Sequence, residues 1–208
     1  MKNSKYYKIL KHFKDNDAII YNYMQNLDFV EWMKPIHTQK SKGYFAALCR
    51  AIAGQQLSGK AANAIYLRFE KLLKDNVTAD RILKLTDQQL RDVGMSWAKV
   101  RSIKDLAQRV KNKELNLDQI DSQNDVEVVT TLTMVKGIGP WTAEMFLMFT
   151  LNRENVFSFK DLGLKKGIEK VYKTKDPSIK KIEKIIKKWE PYKSFGSIAL
   201  WNSLESQD

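Results

Sequence analysis

The sequence predicts an all-helical protein, and three observations carry that prediction. Apolar residues recur at spacings of three and four along most of the chain, and no stretch alternates polar and apolar for long. Small polar residues stand just ahead of the apolar runs, at Thr78, Thr86, Ser96 and Asn124, where a helix needs an N-cap. Only 9 Gly and 4 Pro interrupt 208 residues, too few for a loop-rich or low-complexity chain.

The first 40 residues read as helical and carry aromatics at Tyr6, Tyr7, Phe13, Tyr21 and Tyr23, ahead of a more extended stretch beginning at Pro35. Residues 44–56 form an apolar helix with Phe45, Leu48, Cys49 and Ile52 on one stripe. Ser58 or Gly59 starts another, whose apolar surface is expected from Ala61, Ala64, Ile65, Leu67, Phe69 and Leu72. Short helices follow: Thr78 precedes one, Thr86 to Gln89 has capping-box spacing, and Gly94 marks an end. Ser96 opens a longer helix to about Lys111, with Val100, Ile103, Leu106, Ala107 and Val110 inward. Ser122 or Asn124 begins the next. Further helices are expected over 141–151, 161–172, 178–190 and 194–204, with Asp176-Pro177 as cap and first turn of the third and Pro191 as its end.

Lys and Arg total 36 against 24 Asp and Glu, a net charge of +12, which favours a polyanionic partner such as nucleic acid or an anionic membrane face. Residues 160–193 alone hold 12 Lys against 5 Asp and Glu, either a solvated helix face or a rim for phosphates. The single cysteine, Cys49, excludes an intrachain disulfide and any cluster or zinc site built from several cysteines. It suits a reducing compartment, the cytosol or, in a eukaryote, the nucleus. No signal peptide or apolar run of about 18 residues appears, so neither export nor membrane spanning is expected. His12 and His37 lack metal-ligand spacing and receive no catalytic role.

The rest of the chain is organised around residues 132–148, where two apolar segments flank Lys136-Gly137-Ile138-Gly139-Pro140. Gly137 and Gly139 suit a tight corner, and Pro140 suits the first position of the following helix. Several backbone N–H groups should then point outward at a positive helix end beside Lys136, an arrangement that attracts phosphate. A third glycine and a preceding strand are missing, so this is no dinucleotide fingerprint. Taken alone, it could be only a tight helix–helix turn.

It does not stand alone. The run Gly137-Ile138-Gly139-Pro140-Trp141-Thr142-Ala143 resembles the helix–hairpin–helix of base-excision DNA glycosylases. Val156 to Leu164, containing Asp161, resembles the Gly/Pro-Asp segment that completes the HhH-GPD superfamily name. Upstream, Ile52 to Ser58 resembles the stretch that enters DNA in the same enzymes, and a matching tail lies between Trp189 and Trp201. Within the superfamily the similarity is greatest to the 3-methyladenine DNA glycosylase II (alkylation-repair) branch. The resemblance implies one HhH-GPD unit over residues 1–208, built as two helical lobes flanking a DNA-binding cleft. Residues 45–155 would form the central lobe, with the hairpin at 132–148, and 1–44 plus 156–208 the second.

The same resemblance implies roles for single residues. Asp161 would be the catalytic carboxylate, stabilising the positive charge that builds on the sugar as the N-glycosidic bond breaks. By itself, Asp161 could be only a helix N-cap. Relatives place Pro or Gly shortly before this Asp, where this chain has Ser158-Phe159-Lys160. Trp141, Met145 and Trp201 would line a base pocket, the indoles holding a cationic alkylated purine by stacking and cation–π attraction. Both tryptophans could otherwise be ordinary packing.

Gln55, Gln56 and Leu57 would contact DNA, with Leu57 filling the gap left by the flipped nucleotide, and Lys136, Gly137, Ile138 and Gly139 would hold the backbone. Read without the resemblance, Leu57 is a core leucine. Hairpin carbonyls bind a monovalent Na or K ion in relatives; no other cofactor is implied. Trp141 stands where lyase-type relatives such as endonuclease III have a Schiff-base lysine, and Ala51 where adenine-mismatch glycosylases have an acid. The implied activity is therefore a monofunctional glycosylase that uses water on alkylated bases in double-stranded DNA, acting as a monomer. The alternative is a non-catalytic damage-binding or architectural protein on the same scaffold.

Overall fold

The computed structural model describes residues 4–33 and 40–205, and among these every regular element is a helix. The extended stretch expected after Pro35, with His37, lies outside the described residues. The chain divides into a central unit, residues 35–151, and a terminal unit that combines residues 1–34 with 152–208. None of the described helices is long and apolar enough to cross a membrane.

The central unit contains α4 (Lys40–Gly54), α5 (Gly59–Leu72), α6 (Ala79–Lys84), α7 (Asp87–Asp92), α8 (Trp97–Lys111), α9 (Asp125–Thr133) and α10 (Pro140–Phe149). Phe45, Leu48, Cys49 and Ile52 of α4 are buried, as are Val100, Ile103, Leu106 and Ala107 of α8, so both expected stripes face the core, except that Val110 at the end of the second is only half-buried. Helix α4 packs on α5, α8 and α10, which makes it the axis of the unit. The caps are largely those anticipated. Thr86 and Asn124 complete capping boxes with Gln89 and Glu127, and Ser96 accepts the Lys99 amide.

On one helix the buried face differs from the expected one. On α5 the buried residues are Ile65, Tyr66 and Phe69, whereas Leu67 is 47% exposed and Ala61 and Ala64 face solvent. Residues 65, 66 and 69 share one arc of a helix, and 61, 64 and 67 lie on its flank. The tyrosine's amphipathic ring decided the rotation, burying its body while its hydroxyl donates to the Ala46 carbonyl at 3.2 Å.

In the terminal unit α1 (Ser4–Asn16), α2 (Ala18–Met24) and α3 (Phe29–Trp32) meet α11 (Leu162–Val171), α12 (Ile179–Ile186) and α13 (Lys193–Glu205). The N-terminal aromatics split: Phe13 is fully buried and Tyr7 is 63% exposed. Phe13, Phe29, Phe157, Trp189 and Phe195 form an aromatic core, with Phe29 meeting Phe195 edge-on at 5.3 Å. His12 packs edge-on against Tyr192 and bonds the Lys188 carbonyl.

Asp17, which has no local sequence signature, is 4% exposed at the head of α2. Its Oδ2 accepts the Tyr172 hydroxyl at 2.8 Å and the Trp189 indole N–H at 3.1 Å, tying the two chain ends into one unit. Burial first, then the charge of Asp17, push the Tyr172 phenol above its ordinary range, so it stays a donor.

Asp176 does not cap α12, contrary to what Asp176-Pro177 suggests in the sequence. The cap of α12 is Ser178, whose Oγ accepts the Lys181 amide, and Asp176 sits outside at φ +43°. Its carboxylate pairs with Lys165 at 2.6 Å and its amide bonds Glu169, so ion pairing with α11 outcompetes the capping role.

Candidate active site and nucleic-acid interface

In the central unit, the hairpin between α9 and α10 is held by α8. Gly137 has φ +80°, a region open to glycine, and a Cβ there would collide with Ser102 Oγ. Gly139 is different. At φ −93° and ψ 172° any residue would fit, and a Cβ would meet nothing within 4 Å. Only the first glycine is therefore required by the turn; the second leaves bare ground at the positive end of α10.

Fewer amides face outward than the sequence implied. The Lys136 N–H donates to Asp105 Oδ2 at 2.9 Å, and the Ile138 N–H to the Val135 carbonyl at 3.1 Å. The Gly137 and Gly139 amides meet no acceptor among the described residues, and these remain for an external anion. Ile138 is 4% exposed and anchors the hairpin to the unit, while the Lys136 side chain is exposed. Asp105 is part-buried, which by itself would raise its pKa. The Lys136 amide and the Arg109 guanidinium at 3.0 Å outweigh that burial, and the carboxyl titrates below its usual range.

Gln55 links the hairpin to the end of α4: its Nε2 donates to the Gly137 carbonyl at 2.8 Å and lies 3.3 Å from Thr142 Oγ1. This amide is thus spent on positioning. Gln56 takes φ +59°, and the left-handed turn it makes carries Leu57 outward, 40% exposed. Leu57 is not a core leucine. On α10, Trp141 is 43% exposed and Met145, one turn on, is half-buried. Of the hairpin carbonyls, Gly137's accepts the Gln55 amide and Val135's accepts the Ile138 N–H.

The terminal unit holds Asp161. A turn closed by the Asp161 N–H on the Ser158 carbonyl at 3.2 Å leads into α11, so the segment turns without the Pro or Gly of relatives. Asp161 Oδ1 accepts the Leu164 amide at 2.8 Å, making it the N-cap, and also the Trp201 indole N–H at 3.1 Å. Asp161 as a residue is 9% exposed. Gly163 makes this proximity possible: a Cβ there would stand 3.0 Å from both Asp161 Oδ1 and Trp201 Nε1. The Leu164 amide and the Trp201 indole, both neutral donors, hold the carboxylate in place, a suitable state for meeting positive charge that develops beside it.

Lys165, Lys170, Lys181 and Lys193 are tied to Asp176, Ser203, Thr174 and Glu190, so part of the lysine surplus of 160–193 is spent within the unit. Among the described residues, no group of His, Cys, Asp or Glu could hold a metal ion.

A hairpin held on α8 and a capped, indole-bonded aspartate lie within the segment matched by a family model described as HhH-GPD superfamily base excision DNA repair protein, which covers residues 49–191. The chain belongs to the HhH-GPD superfamily. A solved relative, the Schizosaccharomyces pombe 3-methyladenine DNA glycosylase in complex with abasic DNA, superposes with TM-score 0.78 at 27% identity, over 96% of this chain and 97% of that one. DNA-3-methyladenine glycosylase 1 of the same yeast is 30% identical over 86% of this chain and 79% of its own length. A Bacillus subtilis relative is 31% identical over 77% of this chain, which spans 59% of its length.

As an HhH-GPD protein the chain has supports that the motifs did not disclose. Ser102 and Asp105, which brace the hairpin, stand three apart on α8, off its apolar stripe. That polar pair on one helical face was the only available signal, and nothing in it names the hairpin as its target. Gly163 was visible only as a glycine.

The two hairpin glycines allow a clean contrast. Gly137→Ala should lower stability by at least about 1–2 kcal/mol, from the left-handed backbone and the Ser102 overlap. Gly139→Ala should leave thermal unfolding near native. If phosphate rests on that ground, it should still weaken duplex binding in a fluorescence-anisotropy titration.

Proposed function

We propose that this HhH-GPD protein is a monofunctional DNA glycosylase that removes alkylated purines of the 3-methyladenine type. The observation that carries the reading is Asp161, a nearly buried carboxylate fixed by the Leu164 amide and the Trp201 indole. The names of the relatives, 3-methyladenine glycosylases, support the substrate class.

In the reaction, the C1′–N bond breaks and its electron pair leaves with the base. An N3- or N7-methylated purine is already cationic, so it departs neutral and needs no protonation by the enzyme. The sugar becomes oxocarbenium-like, and the fixed Asp161 charge stabilises it. Water adds to C1′ and gives up a proton, leaving an abasic site. In the central unit Trp141 and Met145 offer a surface for the cationic base, the indole face attracting its charge; in the terminal unit Trp201 offers a second indole beside Asp161. Leu57, carried outward by Gln56, fills the space the base vacates. Lys136, the Gly137 and Gly139 amides and the positive end of α10 hold the backbone phosphates.

The protein works as a monomer on duplex DNA, in the cytosol or, in a eukaryote, the nucleus. Each unit contributes its own groups: the central one the grip and the wedge, the terminal one the carboxylate.

Incubated with methylated genomic DNA, the protein should release free methylated purines, detected by mass spectrometry, and leave alkali-labile abasic sites. Borohydride should trap no covalent adduct, because position 141 carries no amine. Absence of released base from every alkylated substrate, with damaged duplex still bound, would establish the damage-binding alternative instead. Binding should fall steeply with salt. Lys136→Ala should weaken it equally for all sequences and lower the log–log salt slope by about 1.

A further inference from the structure

The central unit carries a groove that neither the hairpin nor the Gln55–Leu57 turn uses. It lies between the start of α4, the start of α6 and the end of α8, with a volume of about 480 Å³. Ligand clefts span roughly 300–1,000 Å³, so it has room for several apolar side chains. Phe45, Val77, Leu115 and Leu117 line it as buried residues and make an apolar floor. Lys42, Lys111 and Lys113 stand exposed on its rim, opposed there by Asp118. Lys42 and Lys113 have no ion-pair partner among the described residues. Lys111 pairs with Asp80 at 3.1 Å, but both side chains are exposed and water screens such a pair.

The groove sits at the far ends of the two helices that organise the hairpin. From Lys42 to Gly54, α4 runs about 18 Å at 1.5 Å per residue, and only beyond Gly54 comes the turn that carries Leu57. On α8 the hairpin braces Ser102 and Asp105 come about two turns before Lys111.

An apolar floor under a cationic rim fits an anion with an apolar body. Duplex DNA fits poorly: its phosphates could meet the lysines, but its bases stay stacked inside and nothing would cover the floor. A peptide meets both demands. Leu or Phe side chains anchor in the apolar floor, and neighbouring Asp or Glu carboxylates meet the rim.

We propose that this groove docks a short acidic and apolar segment of a partner protein. Its apolar anchors rest over Phe45 and Leu117, and its carboxylates face Lys42 and Lys113. The proposal goes beyond the glycosylase reading and does not depend on what the hairpin binds.

The test uses the full chain and a set of fluorescein-labelled nonapeptides in which Leu and Phe alternate with Asp and Glu. The same peptides with Lys in place of every acid serve as controls. Acidic members should bind saturably in fluorescence anisotropy, and the lysine versions should not. Lys42→Glu combined with Lys113→Glu should weaken binding at least about tenfold, because attraction becomes repulsion at two exposed positions. Ala79→Trp, which places an indole in the groove from its half-buried rim, should weaken it about as much. Unfolding temperatures and base release should stay native in the charge-reversed variant, so loss of fold cannot mimic the result. Saturating unlabelled duplex should change peptide affinity less than twofold. Three outcomes would overturn the proposal: no acidic peptide binds better than its lysine version, the charge-reversed variant binds like native, or duplex DNA displaces the peptide. The last would assign the groove to nucleic acid.

Discussion

Asp161→Asn should cut release of methylated purine by about 10²–10³-fold under single-turnover conditions while leaving duplex binding nearly intact. The substitution keeps the geometry. Asparagine caps helices as well as aspartate does, and its Oδ1 can still accept the Leu164 amide and the Trp201 indole. What disappears is one negative charge in a nearly dry position, where it acts at full strength only once positive charge builds on the sugar. Binding of the substrate should change little because the ground-state sugar is neutral. A variant retaining activity within tenfold of native would remove Asp161 from the mechanism. A variant that loses binding and activity together would assign it to structure.

The largest effect on stability should come from Asp17→Ala. It removes the acceptor shared by the Tyr172 hydroxyl and the Trp189 indole and leaves both donors facing a buried gap. Hydrogen bonds to a charged acceptor contribute about 1.5–3 kcal/mol each, and an unsatisfied buried donor has its own cost, so a loss of about 3–5 kcal/mol is expected. For a chain of this length that corresponds to about 6–20 °C in Tm. Asp17→Asn, which keeps one acceptor oxygen, should lose less. Calorimetry of the two variants checks the order; equal, small shifts would show that the node contributes little. Because Asp17 joins α2 to Tyr172 and Trp189, its loss should loosen the unit that carries Asp161 and lower activity at elevated temperature first.

The contrast between these two aspartates shows what was legible in the chain. Asp161 stands in a recognisable motif, about twenty residues after the hairpin, and resemblance singled it out. Asp17 has no local signature, since its partners lie 155 and 172 residues away. Periodicity located the stripes of α4 and α8 because most of their apolar residues at spacings of three and four are buried. It failed on α5, where a tyrosine's buried ring and bonded hydroxyl set the rotation. Capping chemistry was read correctly where side chain and amide are neighbours, at Thr86, Ser96 and Asn124. It failed at Asp176, whose carboxylate found a lysine on another helix.

The sequence by itself therefore determined the helical class, most helix starts, the hairpin and the superfamily. Each follows from residues within a few positions of one another, or from motifs in a set order. The tertiary structure decided the rest. It showed that Gly137 is required by the turn and Gly139 is not, because only the first meets Ser102. It turned Leu57 outward through the left-handed backbone at Gln56. It brought the Trp201 indole from 40 residues away onto Asp161, across a glycine that leaves room for it. Contacts of that kind depend on how helices pack against one another, and helix packing is written in no single stretch of the chain.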